Sequence, residues 1–240
     1  MTRFGWFGMC WMMLCLGDVH ASGRLQAALI SSADKAMAPR IVPVLHGREY
    51  LVQEDVLHVP DALPLGSQWG IYRPGRSFPL TEHDHVEGEP ADGPFWGMLP
   101  VARATVIGHA TLGSQLSIED GIQEVRAGDY LLARTETPSS FSEMKKTAAE
   151  PPVSTARVVG GLYKQHYLAP QDWLVLDRGT RDGLAAGQRW RIDRNVLGQP
   201  AVAEIEVHQA AMHLSLARVL SGEGPIQTGD VAQWIPSHEK

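Results

Sequence analysis

The sequence predicts an all-β protein of two tandem small β-barrel or sandwich-like repeats behind an N-terminal signal peptide. Three observations predict it: an internal repeat, short runs of alternating polarity, and dense turn chemistry between those runs.

The repeat is the strongest of the three. Arg40, Val42, Leu45, Tyr50, Leu51, Asp55 and Leu57 recur in order, without a gap, as Arg157, Val159, Leu162, Tyr167, Leu168, Asp172 and Leu174. Further along, Gly66, Trp69, Ile71 and Arg73 return as Gly187, Trp190, Ile192 and Arg194. Both copies close alike, with Gly128-Asp129 answered by Gly229-Asp230. Three matching segments in one order imply a duplication, with repeat 1 at 39–134 and repeat 2 at 156–235.

Each copy reads as strands. Val101 to His109 and Val202 to His208 largely alternate apolar and polar side chains, as a half-buried strand does. Trp69 to Tyr72 and Trp190 to Ile192 are aromatic and β-branched runs that suit a pleated surface. Asp177 to Gly183 is turn sequence, where Gly supplies positive φ and Asp bonds its own backbone. The two Gly-Asp pairs are expected to turn the chain into the last strand of each copy, the carboxylates accepting backbone N–H groups. Residues 22–38 form a lead-in, with a helix expected at Leu25 to Lys35. Residues 135–155 are rich in Ser, Thr, Pro and charge, too poor in apolar surface to offset ordering, and read as a linker. Residues 79–94 read as an acidic loop inserted into the first copy alone, and 236–240 as a tail.

The first 21 residues read as a secretory signal peptide. Arg3 precedes an apolar stretch from Phe4 to Leu16, shorter than the roughly 20 residues a permanent span needs. Val19-His20-Ala21 then offers a cleavage site after Ala21. Cys10 and Cys15 are the sequence's 2 cysteines and both fall in the removed segment. The mature chain is therefore expected to carry no disulfide, thiolate nucleophile or cysteine metal site. A periplasmic location follows. The net charge of −6, with both signs interspersed, argues against nucleic acid as a partner. No later segment is apolar enough for an integral membrane span.

Candidate sites are few. His83 and His85, with the carboxylates of the acidic 82–87 loop, have the residue types and spacing to hold zinc, copper or nickel, but a solvated loop is the favoured reading. His109 and His208 look equivalent between the copies and are expected to be architectural. His213 and Ser215, near Glu204 and Glu206, lack the strand-turn-helix context of a nucleophilic serine. Trp69 and Trp190 are expected in the cores. Phe95 and Trp96 are better candidates for exposed contact than the matched tryptophans, and Tyr72 to Arg76 is read as a plain surface turn, with an anion-facing site as the alternative. No catalytic, cofactor-binding or metal-ligating residue is assigned, and no cofactor is implied.

The order of several motifs suggests a relationship. Gly70 to Gly75, Ala102 to Ala110, Val125 to Leu132, Val175 to Gly187 and Pro225 to Asp230 together resemble the region that follows the LysM module in bacterial LysM-containing peptidoglycan-binding proteins. The likeness covers residues 39 to 235. The LysM module itself has no counterpart, since the 17 residues from Ser22 to Ala38 are too few to form one. What the resemblance implies is the envelope setting, not glycan binding by particular residues. The run Leu176-Asp177-Arg178-Gly179, with Arg181-Asp182-Gly183-Leu184 and Gly187, is also similar to the C-terminal domain of flagellar assembly protein T. The expectation is a non-enzymatic periplasmic accessory protein that binds envelope proteins or peptidoglycan. The alternatives are a structural component of a flagellar or secretion basal body, and a metal-binding protein or enzyme using the 82–87 loop.

Overall fold

A computed structural model of the chain describes residues 25–42, 50–80, 93–111, 113–134, 153–163, 165–196 and 199–235. The regular elements among them are β-strands, apart from one short helix, α1 (Ser32–Met37), and a 3-10 turn at Thr180–Asp182. The first half contributes β1 (Ala28–Ile30), β2 (Tyr50–Leu51), β3 (Val56–Val59), β4 (Gln68–Phe78), β5 (Phe95–Ala110), β6 (Gly113–Gly121), β7 (Val125–Arg126) and β8 (Tyr130–Ala133). The second contributes β9 (Thr155–Gly161), β10 (Trp173–Leu176), β11 (Arg189–Val196), β12 (Gln199–Ala210), β13 (Ser215–Gly222) and β14 (Val231–Trp234).

The second half is a closed barrel, in the order β10-β13-β12-β11-β14-β9. Alternation drives closure: Leu174, Leu176, Trp190, Ile192, Ile205, Val207, Ala217 and Val219 all turn inward and are fully buried. Closing the sheet satisfies every edge at once, which an isolated small sheet cannot do. In the first half β3-β6-β5-β4-β8 pair in the corresponding order, and a core of the same kind forms around Leu57, Ile71, Ala104, Val106, Leu116, Ile118 and Leu131.

The duplication holds at the level of register. Trp69 faces Ala104 and Ile71 faces Ala102, just as Trp190 faces Ile205 and Ile192 faces Ala203. Leu57 faces Leu116 as Leu174 faces Ala217. Even the bulges agree, falling between Arg103 and Ala104 in one copy and between Glu204 and Ile205 in the other. The Leu51–Val125 pair returns as the Leu168–Ile226 bridge, and the Arg40–Tyr130 bridge as the Arg157–Val231 pair.

The turns repeat too. Gly128 (φ 92°) and Gly229 (φ 94°) take left-handed geometry that only glycine adopts without strain. Asp129 Oδ2 accepts the Arg126 N–H at 2.8 Å, and Asp230 Oδ2 accepts the Gln227 N–H at 2.8 Å. A second Asp turn precedes β3 and β10: Val52 N–H donates to Asp55 and Ala169 N–H to Asp172. Glu54 (φ 72°) and Gln171 (φ 77°), the only non-glycine residues of positive φ among those described, occupy equivalent places in these turns. Both are held by N–H bonds to a strand carbonyl, Glu54 to Ile118 and Gln171 to Val219.

The lead-in differs from the expected helix at Leu25 to Lys35. Ala28 to Ile30 pair as a strand with Met98, Gly97 and Trp96 of β5, and the helix begins only at Ser32. Ser31 caps it, its Oγ accepting the Asp34 N–H at 3.0 Å. Tertiary pairing overrides local helix preference because the backbone of β5 is open there and Leu29 has a buried site to fill.

A third apolar cluster joins the halves. Ala27 and Leu29 before and within β1, and Phe78, Phe95 and Leu99 of the long β4–β5 arm, pack with Leu162, Val175, Leu214 and Leu216 of the second half. Arg76 N–H donates across the junction to Leu162 O at 3.0 Å. The Gln209 amide bonds both backbone groups of Leu29, accepting its N–H at 2.9 Å and donating to its carbonyl at 2.8 Å.

Candidate functional site

Most sequence candidates resolve into framework. Ser215 is fully buried, and its Oγ donates to the Arg178 carbonyl at 2.6 Å, tying β13 to the turn after β10. Its counterpart Ser114 does the same task, accepting the Leu63 N–H and donating to the Asp61 carbonyl, each at 2.8 Å. In both copies the hydroxyl thus ties the start of a strand to a neighbouring loop. Glu206 pairs with Arg189 across β11 and β12 at 3.3 Å.

Trp190 fills the barrel centre, fully buried, and Trp69 is half-buried with its indole N–H on Ser67 Oγ at 2.8 Å. Both were expected in the cores. The position of Ser67 is taken in the second copy by Gln188, whose amide turns to Ala185 and Gly183, and Trp190 Nε1 has no hydrogen-bond partner among the described residues.

Two sequence candidates are placed differently from their sequence reading. Phe95 and Trp96 are not exposed contact residues. Phe95 is buried at the junction, and Trp96 is half-buried in β5. Its indole N–H reaches Ser32 Oγ at 3.2 Å, and Lys35 Nζ lies 3.2 Å from its ring centroid. Burial and the nearby Arg40 hold the Lys35 amine below its ordinary range. Tyr72 to Arg76 is not a turn but runs inside β4. Arg73 there grips Asp129 with two bonds of 2.9 Å and donates to Glu124 O at 2.8 Å, so its Nε and Nη2 donors are spent within the fold. The same clamp recurs as Arg194 on Asp230 at 3.0 Å.

The two histidines are not equivalents. Register aligns His208 with Ile107 and His109 with Ala210, because Val106 and Val207 occupy the same place opposite Leu116 and Ala217. His109 is exposed, 3.5 Å from Ser114 Oγ. His208 is half-buried edge-on to Trp173, with ring centroids 5.1 Å apart. Burial is the main cause holding its imidazole below the usual value; Arg218 adds to the lowering and Glu206 opposes it. His83 and His85 lie outside the described residues. Among the described residues no group of three His, Cys, Asp or Glu side chains is placed to hold a metal ion.

What remains is surface. Across the outside of the second barrel, Trp173, Arg218, Glu206 and Arg189 stand in one row, one on each of β10, β13, β12 and β11, with half-buried Trp173 packed against the junction cluster. Arg218 lies over the Trp173 ring, 5.6 Å from its centroid. Tyr50, Tyr163 and Tyr167 are exposed, and Tyr50 sits beside the Arg126 guanidinium at 4.8 Å. Aromatic rings and paired charges of this kind suit contact with a partner surface. The residues that sequence reasoning missed are Gln209, Val175 and Leu216, which build the junction. Reading the two copies position by position, rather than for identities alone, exposes them as places where the copies differ in polarity. No protein-family model matches the chain, and no curated protein matches it.

Proposed function

We propose that this protein is a non-enzymatic accessory of the periplasmic cell envelope, acting through contacts with envelope proteins or peptidoglycan. One observation carries the reading: what the two copies share is framework. Arg73 and Arg194, Asp129 and Asp230, Asp55 and Asp172, and Ser114 and Ser215 are all spent on clamps and turns. A duplication that keeps clamps and turns is what a scaffold requires, because its product is a shape. The signal-peptide pattern and the likeness to the regions that follow LysM modules support the envelope setting.

The test is co-sedimentation of the purified mature protein with peptidoglycan sacculi, and capture from envelope extract on immobilised protein. Retention on bare sacculi identifies the wall as partner, and retention only with extract identifies a protein. Failure in both overturns the reading. Export is checked separately: mass spectrometry of the protein recovered from the periplasm is expected to show Ser22 at the N-terminus. An intact Met1 there contradicts cleavage after Ala21.

A further inference from the structure

The two modules agree in register but not in what they carry on the outward face of the strands. His58 corresponds to Val175 and Gln115 to Leu216, the two residues facing each other in both copies. Gly108 corresponds to Gln209, each one step past the same bulge. In the first module His58 is exposed and Gln115 half-buried. In the second, Val175 and Leu216 are both fully buried, yet they belong to the junction cluster and not to the barrel interior.

The complement is equally one-sided. Strands β4 and β5 run on to Phe78 and Phe95, and this extension carries the apolar residues that meet Val175 and Leu216. Strands β11 and β12 already turn back between Val196 and Gln199, so the second module has no arm of that length. Gly75 and Gly97 fit the arm to its seat. A Cβ on Gly75 would stand 2.7 Å from Leu162 O, and one on Gly97 would overlap the Leu162 side chain. Strand β1 then closes the seat, paired with β5 on one side and with the Gln209 amide on the other.

We propose that the outward face of β10 and β13, with Gln209, is a docking surface dedicated to the β4–β5 arm and β1, and that it fixes the two modules as one rigid body. At the equivalent pair the first module carries polar His58 and Gln115, so it offers no apolar seat there for a second arm. The inference goes beyond the contact function proposed above and holds whichever partner the protein meets.

The full mature chain carrying Val175→His and Leu216→Gln tests it, because each change installs what the first module already tolerates at the same register. The wild-type chain is expected to melt in a single calorimetric transition, with both modules tumbling at the rate of the whole chain by NMR relaxation. The double variant is expected to lose the single transition, giving two, and each module is expected to tumble faster. Independent tumbling in the wild type, or a double variant that behaves as wild type, overturns the proposal. Should the double variant fail to fold, Gln209→Gly removes only the grip on Leu29 and is read the same way. Loss of the barrel in both variants also overturns it, since these residues would then serve the barrel itself.

Discussion

Asp129 carries more than its counterpart. Its carboxylate accepts two bonds from Arg73 and one from the Arg126 N–H, and its side chain is 3% exposed against 16% for Asp230. Removing one partner of a buried pair strands the other charge, which costs about 3–5 kcal/mol, whereas a more solvated pair loses less. Asp129→Ala is thus expected to destabilise the chain by more than Asp230→Ala, measured by urea unfolding. At the junction, Gly75→Ala forces a methyl against a backbone oxygen that cannot swing away. A loss of about 1–3 kcal/mol is expected from such overpacking, and the same melts read it. Titration distinguishes two further groups. Burial raises the Tyr72 hydroxyl to about 12, with Arg134 pulling the other way, so Tyr72→Phe is expected to remove a late step from an alkaline absorbance titration. His208 has the opposite sense. Its folded value lies below the ordinary one, so the unfolded chain binds its proton first as pH falls. Its stabilising contribution is present above about pH 6.5 and lost on acidification below that. A His208→Gln chain is expected to show a flatter stability profile between pH 7 and 5 than the wild type.

At the scale of elements, the strands with strong alternation were legible and the short ones were not. Trp69 to Tyr72 and Val101 to His109 lie within β4 and β5, because alternation reports which face is buried wherever one face meets a core. The turn expected at Tyr72 to Arg76 is strand. Pro74 and Gly75 suggest a break, but the arm has β5 to pair with, and Gly75 is needed for the close approach of Leu162. The lead-in fails for a related reason. A three-residue strand has no periodicity to read, and its partners, Met98 and Gln209, are distant in sequence. The Gly-Asp turns were legible in full, since Gly128 and Asp129 act on a backbone three residues away.

For the whole molecule, the duplication could be read as two like modules, but not as a joined pair. An excised repeat 2, residues 156–235, would bare Val175, Leu214 and Leu216 together. It is expected to self-associate with rising concentration in sedimentation velocity, and the Val175→His, Leu216→Gln change is expected to restore a monomer. A monomeric excised repeat 2 with the natural residues would show that this face needs no cover.

The sequence by itself determined the class, the repeat and its turns, because alternation, glycine conformation and Asp-backbone bonding are local or act between neighbouring strands. Only the tertiary structure decided the fate of the outward-facing residues. Whether Val175 or Leu216 meets solvent, a partner or another part of the chain depends on where the β4–β5 arm comes to rest. That is fixed by contacts between residues as far apart as Leu29 and Gln209, which no spacing along the chain encodes.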